Sequence, residues 1–252
     1  MRKKTTLKLG YKKDKRDKRD LLFKNHPKAS GPIADVVDNS QYDSPIDEQI
    51  ANDCVANATT AAIEHLQILH GKPLIHASRF MLYYGAREIS GEQDIDEGTY
   101  IRNAIKFYNK SGVCTEKLWP YVRENINRKP TPECYEDAEK RQLLNYYRAT
   151  TIEEVLIAIT ARLPVVFGAD LYPGIDSDEC NRTGRIPMPG WFESSIGGHA
   201  MKKSGHNCFD EIFKIKNSWG KDKGDKGYYY MPFQYFKKKA SDIWVLVSGE
   251  EM

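Results

Sequence analysis

The pattern of apolar residues changes near residue 147, and this change constrains the fold more than any other feature of the chain. Before it, apolar residues recur at helical spacing, which predicts helices at 54–69, 79–89, 100–108 and 133–146. After it, a capping box begins a helix over 152–162, and β-branched and aromatic runs follow. The predicted strands are 164–168, 199–203, 211–216, 228–231 and 243–248, and the segment 173–198 is predicted as a loop. We therefore predict an α+β chain in which a helical lobe precedes a β-rich lobe.

The length and the composition agree with a globular protein. A chain of 252 residues can bury a full core as one large domain or two lobes, and 40% of its residues are hydrophobic. No apolar run approaches the roughly 18 residues that a membrane helix needs, so we expect no membrane insertion. The basic N-terminus lacks the apolar stretch of a signal peptide, and we expect a cytoplasmic or virion-associated protein rather than a Sec-secreted one.

The first 40 residues form a separate segment, which we call the arm. Residues 1–20 carry ten Lys or Arg and three Asp, a net charge of +7, whereas the whole chain has +3. A basic arm could touch nucleic acid or another anionic surface, or it could be a solvated tail. The remainder of the chain is mildly acidic, which argues against nucleic-acid binding as the main function.

Three residues stand in the order and spacing that a thiol nucleophile requires. Cys54 opens an apolar helical run, His199 follows 145 residues later in a Gly-Gly-His-Ala motif, and Asn217 lies 18 residues beyond in Asn-Ser-Trp-Gly. Each alone has a structural interpretation: a buried small side chain, a core histidine, the end of a strand. Because Cys54 belongs to the helical lobe and the other two to the β-rich lobe, the three would meet in a cleft between the lobes.

These residue types suit nucleophilic catalysis. The thiolate is the reactive species, and both a helix N-terminus and a neighbouring imidazolium lower a thiol pKa. His199 could then return its proton to a leaving amine, while Asn217 accepts a hydrogen bond from the second ring nitrogen without adding a charge. A metal site formed by His199, His206 and Cys208 lacks a familiar zinc spacing, so we expect no metal and no cofactor.

The other four cysteines leave the redox state open. Cys114, Cys134, Cys180 and Cys208 could pair in three ways, and the sequence does not choose between them. Without a secretion signal we expect free thiols.

At these residues the chain resembles the papain-like cysteine peptidases, most closely their bacterial and viral, cathepsin-like branch. Further similar stretches are 78–87, 96–99, 112–121 and 224–232. The resemblance implies a two-lobed papain-like fold with a β-barrel-like second lobe, over about 41–147 and 148–252, and peptide or protein substrates. It also implies roles: Cys54 as nucleophile, His199 as acid and base, Asn217 as orienting residue and Trp219 as a cover over that pair. Gly98 and Gly198 are the candidate substrate-binding glycines.

The departures from the family pattern lie beside the nucleophile. Ungapped alignment places Glu48 at the position of the glutamine that stabilises the oxyanion, whereas a one-residue deletion places Gln49 there, and we favour Gln49. A carboxylate at that position would repel the developing oxyanion. Asp53 also sets a carboxylate next to Cys54, which opposes a low thiol pKa. Lys223 replaces a second tryptophan that the family often has.

The arm also resembles part of the family, because its segment 9–20 is similar to one that precedes the catalytic region in this branch. It is expected to be propeptide-like, as in a zymogen, and to lie near the cleft, because its composition is separate and Leu21, Leu22 and Phe23 need something to pack against. The sequence thus predicts a cysteine endopeptidase with a thioester acyl-enzyme. The alternatives are a papain-fold binding protein with little or no activity, and an acyl transferase that uses the same Cys-His pair.

Overall fold

The computed structural model describes residues 7–141 and 144–249, and its helices and strands separate along the chain as the sequence predicts. The first part is helical, with α1 (Cys54–Leu69), α2 (Arg79–Glu88), α3 (Ile101–Ser111) and α4 (Pro132–Ala138). The second part contains α5 (Ile152–Thr160), α6 (Asp178–Thr183) and α7 (Phe233–Lys239) around a sheet. Short 3₁₀ turns connect several of these elements.

The helical lobe is organised around α1. Its first thirteen residues are buried, and small alanines along it allow α2, α3 and the sheet to pack closely. The Ser78 hydroxyl accepts a hydrogen bond from the Met81 N–H at 3.2 Å and so caps α2. A Cβ atom on Gly85 would lie 2.2 Å from the Phe107 ring, so the contact between α2 and α3 requires a glycine there.

The β-rich lobe is an antiparallel sheet. Its strands are β2 (Val36–Asp38), β4 (Leu144–Ala149), β5 (Val165–Leu171), β6 (Gly197–Asn207), β7 (Ile212–Lys216), β8 (Tyr228–Pro232) and β9 (Ala240–Ser248). The order is β4-β9-β5-β6-β7-β8, with β2 paired to β6. In the described part of the chain this path stays open, so the two-lobed α+β fold is confirmed but the barrel-like second lobe is an unclosed sheet.

Two predicted segments were wrong in part. The helix predicted over 133–146 ends at Ala138, residues 142 and 143 lie outside the described ranges, and β4 pairs with β9 from residue 144 onward. Polar helical periodicity therefore gave way to tertiary strand pairing. The segment predicted as a loop over 173–198 contains α6, whose N-terminus is capped by the Ser177 hydroxyl, and β6 begins two residues earlier than predicted.

The arm lies against both lobes. Its strand β1 (Tyr11–Lys12) pairs in parallel with β3 (Thr99–Tyr100) of the helical lobe, while β2 pairs antiparallel with β6. Phe23 is wholly buried in the core of the β-rich lobe. The arm therefore has no core of its own among the described residues, but it completes surfaces of the other two parts.

Candidate active site

Cys54 is the first residue of α1 and lies where this helix meets β6. Its side chain is wholly buried, and its Sγ accepts a hydrogen bond from the Ala200 N–H at 3.4 Å. The Gly10 N–H of the arm also donates to the Cys54 sulfur. Burial raises the pKa of the Cys54 thiol to about 12, and the neighbouring Asp53 carboxyl adds to the rise. With the arm in this position, the neutral thiol is the favoured form.

His199 and Asn217 lie at the same end of β6 and β7, which are adjacent antiparallel strands. The distance from His199 Nε2 to Asn217 Oδ1 is 2.7 Å, and the Ser218 N–H also donates to Asn217 Oδ1 at 2.8 Å. Within the described ranges His199 Nδ1 has no hydrogen-bond partner, although it is buried. Burial lowers the pKa of His199 to about 4, so the imidazole is neutral at physiological pH in this arrangement.

Trp219 covers the histidine ring. The two rings stack with centroids 4.5 Å apart and an interplanar angle of 26°, and Tyr229 meets the indole edge-on at 5.6 Å. Trp219 is itself almost fully buried. This stack keeps water from the His199–Asn217 hydrogen bond and restricts rotation of the imidazole.

Gln49 and Glu48 differ sharply in their surroundings. Gln49 is buried, and its Nε2 donates to the carbonyl of Ala51 at 3.0 Å and to that of Lys8 in the arm at 3.2 Å. Its Oε1 accepts from the Ser218 hydroxyl at 2.7 Å, which fixes the orientation of the amide. The Glu48 carboxylate, in contrast, lies near Gly220. Of the two side chains, it is therefore Gln49 that contacts the arm through its amide.

The two candidate binding glycines lie on opposite sides of the arm. Gly98 has a φ of +85°, and a Cβ atom there would lie 1.9 Å from the Gly10 carbonyl oxygen. A Cβ atom on Gly198 would lie 2.5 Å from the Tyr11 carbonyl oxygen. Next to Gly98, the Thr99 N–H donates to the Gly10 carbonyl at 2.8 Å. Both glycines thus allow an extended backbone to run between the lobes.

The sequence did not reveal the pocket that holds the Tyr11 side chain. Its ring packs on Gly168, where a Cβ atom would lie 2.0 Å from the ring, and its hydroxyl is hydrogen-bonded to Ser241 at 2.7 Å and donates to Asp242. Asp242 is buried, has a φ of +51°, and follows directly on Ser241 in β9. No sequence motif surrounds these residues, so only tertiary structure identifies them. Ser218, in contrast, belongs to the Asn-Ser-Trp-Gly motif and could have been singled out.

Neither a metal centre nor a membrane-spanning helix is found among the described residues. Over 7–141 and 144–249, no group of three or more His, Cys, Asp or Glu side chains is arranged to hold a metal ion. Across the same part of the chain, none of the helices combines the length and apolar character required to cross a bilayer. All five cysteines are free thiols.

Comparison with known proteins identifies the family. A family model described as papain family cysteine protease matches residues 34–241. The chain belongs to the papain family of cysteine proteases. It is 35% identical, over 94% of its length and 86% of the relative, to an uncharacterized peptidase C1-like protein of Acanthamoeba polyphaga mimivirus. These likenesses show that the chain is a cysteine peptidase, a hydrolase.

Solved structures of the papain family show the same fold. Xylellain, a cysteine protease from Xylella fastidiosa, matches with a TM-score of 0.89 and 30% identity, over 98% of each chain. Procathepsin B from Trypanosoma congolense matches with a TM-score of 0.69 over 96% of this chain and 85% of that one. At 14% identity the second likeness concerns the fold alone. The match to xylellain spans the arm as well as the two lobes.

Proposed function

We propose that this papain-family cysteine peptidase is an endopeptidase that hydrolyses peptide bonds with Cys54, His199 and Asn217. The observation that carries the proposal is the 2.7 Å contact between His199 and Asn217 under the Trp219 ring, next to the backbone N–H that touches the Cys54 sulfur. This arrangement leaves His199 Nδ1 as the nitrogen available for proton exchange. A fixed tautomer and an uncharged orienting residue suit a thiolate–imidazolium pair.

The reaction then proceeds in two halves. The Cys54 thiolate attacks the carbonyl carbon of the scissile peptide, and the Gln49 amide donates to the oxygen on which negative charge develops. As the carbon–nitrogen bond breaks, the His199 imidazolium gives its proton to the leaving amine, and a thioester remains on Cys54. Water, deprotonated by His199, attacks the thioester, so that the carboxylic acid leaves and the thiolate is restored.

The arm blocks this reaction in the proposed latent form. It occupies a peptide's place, since the Lys8 carbonyl oxygen accepts from the Gln49 amide and the Gly10 carbonyl accepts from Thr99. The arm also brings the Gly10 backbone against the Cys54 sulfur, so that a substrate peptide cannot reach the thiol while the arm is in place. By excluding water, the arm also favours the neutral thiol and neutral imidazole, because desolvation penalises both charges.

Charged contacts hold the arm in the cleft. Arg102 of α3 forms a bidentate ion pair with Asp20 at 2.6 and 3.0 Å. Asp14 accepts from the backbone N–H of Arg102 at 3.3 Å and from the indole N–H of Trp244 at 3.1 Å. These contacts link the arm to the helical lobe and to the sheet at once, which makes inhibition by the arm the simplest interpretation of its position.

The test is the rate at which a peptidyl epoxide labels Cys54 across pH. A protease cleavage site inserted between Pro32 and Ile33, which are exposed, allows the whole chain to fold before the arm is cut. We expect fast labelling below pH 8 after cutting, slow labelling before it, and none in Cys54→Ser. Labelling no faster than a free thiol in both forms would leave the binding-protein alternative. Equal, fast labelling in both forms would contradict inhibition by the arm but would leave the peptidase proposal standing.

Hydrolysis is separated from acyl transfer by the products. With an added amine acceptor, the proposed peptidase releases mainly the free carboxylic acid. A product in which the acyl group is joined to the amine, at acceptor concentrations far below that of water, would favour an acyl transferase. Because the chain belongs to the cysteine proteases, which are hydrolases, hydrolysis is the function that we adopt.

A further inference from the structure

The residue before the proposed nucleophile is a carboxyl that the reaction described above does not use. Asp53 is wholly buried at the start of α1, where an aspartate ordinarily caps the helix, yet its side chain makes no capping hydrogen bond. It turns away instead and accepts from the Tyr121 hydroxyl at 2.7 Å and from the Asn57 amide at 2.9 Å, both at Oδ2. Within the described ranges the buried Oδ1 has no hydrogen-bond partner.

This environment suits a protonated carboxyl. Burying a carboxylate without a charged partner is costly, and both groups that donate to Asp53 are neutral. The neighbouring cation, Arg79, stacks on the Tyr121 ring at 3.6 Å and has its charge taken up by Glu116 and Asp47. Burial raises the pKa of Asp53 to about 7, so its ionisation falls in the pH range in which the enzyme would work.

The other charged groups that face Asp53 have partners of their own. Asp96, on the loop before β3, adds to the rise in the Asp53 pKa and itself accepts from Tyr83 and from the Asn52 N–H. Arg87, from α2, donates to the carbonyls of Tyr83, Ile95 and Ile126. Neither Arg79 nor Arg87 forms an ion pair with Asp53 in the described part of the chain. The nearest titratable neighbour along the chain is therefore the Cys54 thiol itself.

We propose that Asp53 and Cys54 share a single negative charge, so that Asp53 sets the pH range of the nucleophile as a positioning residue that acts through the thiol. Two adjacent buried acids repel each other when both are ionised, so the acid that ionises first raises the pKa of the other. While Asp53 keeps its proton, the thiolate can form against His199. Once Asp53 ionises, the thiolate is disfavoured, and Cys54 reacts more slowly than it would in a chain without this carboxyl. The inference rests on Cys54 being the nucleophile of the proposed function.

The experiment compares the native full-length chain with Asp53→Asn. The rate of Cys54 alkylation by iodoacetamide is followed from pH 5 to 9, and mass spectrometry separates it from the other four cysteines. The arm is the same in both chains, so its own effect cancels in the ratio of the two rates. We expect the ratio of the Asp53→Asn rate to the native rate to be near one at pH 5.5, where the side chain at position 53 is neutral in both chains. The ratio should rise to about tenfold at pH 8.5, which corresponds to a change of about one unit in the thiol pKa.

Asp137→Asn is the matched control, since it removes a carboxylate of the same lobe that is paired with Arg141 and contacts neither Arg79 nor Cys54. Its ratio to the native chain should not change with pH. A ratio for Asp53→Asn that is constant across the pH range would overturn the proposal and leave a purely structural role. Peptide hydrolysis measured in parallel reports on the proposed function separately, because the alkylation ratio requires no peptidase activity.

A second measurement needs no variant at position 53. Cys54 of the native chain is alkylated with iodoacetamide, which leaves a neutral adduct, or with iodoacetate, which leaves an anionic one. The Asp53 carboxyl is then titrated through its ¹³C resonance. We expect the anionic adduct to raise the pKa of Asp53 by about one unit over the neutral adduct. Identical titrations of Asp53 in the two adducts would overturn the sharing of one charge, even if Asp53→Asn failed to fold.

Discussion

On the helical wall of the cleft, which is formed by Gln49, Asp53 and Cys54, the buried carboxyl of Asp53 meets only neutral donors. Behind the β wall, which is formed by His199, Asn217 and Trp219, the buried carboxyl of Asp43 is instead paired with the Lys202 ammonium. Asp43 also accepts from the Ser204 hydroxyl at 2.6 Å and from the Tyr228 hydroxyl at 3.0 Å. The Lys202 charge holds the pKa of Asp43 well below its ordinary value, while burial raises that of Asp53. A fixed charge anchors the strand that carries His199, and a titratable group lies beside Cys54.

The same contrast applies to the groups that would act on a substrate. On the β wall, His199, Asn217 and Trp219 form a neutral, stacked and hydrogen-bonded unit that needs no charge to hold its geometry. On the helical wall, Cys54 and Gln49 must meet negative charge as it forms on sulfur or on the oxyanion. In the proposed reaction the two walls would therefore have different roles, because one holds orientation and the other stabilises charge.

The largest expected effect comes from removing the central residue of either wall. Cys54→Ser and His199→Ala should each lower kcat on the order of a millionfold, and the double variant should lose no more than either single one, because nucleophile and base act as a unit. Hydrolysis of a fluorogenic peptide by the chain with its arm cut would measure this. Losses that simply multiply in the double variant would mean that the two walls act independently.

Gln49→Ala should have the next largest effect. Loss of one oxyanion donor costs about a hundredfold to a thousandfold in kcat, while KM for a short peptide should change little. Glu48→Gln is the control, because its carboxylate lies near Gly220 and should leave kcat nearly unchanged. A large change in kcat for Glu48→Gln, with little change for Gln49→Ala, would support the ungapped alignment, in which residue 48 occupies the oxyanion position.

Asn217→Ala tests orientation on the β wall. Without Asn217 Oδ1 to accept the hydrogen bond from His199 Nε2, the imidazole loses its fixed tautomer. We expect kcat to fall by about 10-fold to 100-fold, which is part of the rate gain that general acid–base catalysis contributes. Asn207→Ala, at the far end of β6, changes the same residue type away from the cleft. An unchanged kcat in Asn217→Ala would mean that stacking on Trp219 alone holds the ring.

How much of this could be predicted from the sequence depends on the range of the interaction involved. Cys54, His199 and Asn217 each stand in a local motif, and the helix that starts at Cys54 has an apolar pattern that needs no tertiary information. The strand β4 depends on pairing with β9, which is distant in the chain, and its sequence looked helical. The Tyr11 pocket with Asp242 depends on contacts between residues that are 231 positions apart, which no local pattern encodes.

The smallest effect on activity, and the sharpest test of the contrast between the carboxyls, is expected in the pH dependence of stability. Asp43, with its lowered pKa, stabilises the fold above about pH 4, and that contribution is lost as the pH falls through the lowered value. Asp53, with its pKa raised from 3.8 to about 7, has the opposite slope: its relative stabilisation is complete below about pH 4 and is lost as the pH rises to 7. Asp43→Asn should also cost roughly 3–5 kcal/mol at pH 7, because the Lys202 charge stays buried without its partner.

Urea unfolding of the native chain, Asp43→Asn and Asp53→Asn between pH 3 and 8 would resolve the two slopes. Relative to the native chain, Asp53→Asn should gain stability as the pH rises from 4 to 7, and Asp43→Asn should be least stable, in relative terms, at the neutral end. If both differences changed with pH in the same direction, pairing with Lys202 would not be what separates the two carboxyls. The assignment of a fixed charge to the β wall and a titratable one to the helical wall would then fail, because the two sites would respond alike to the same proton.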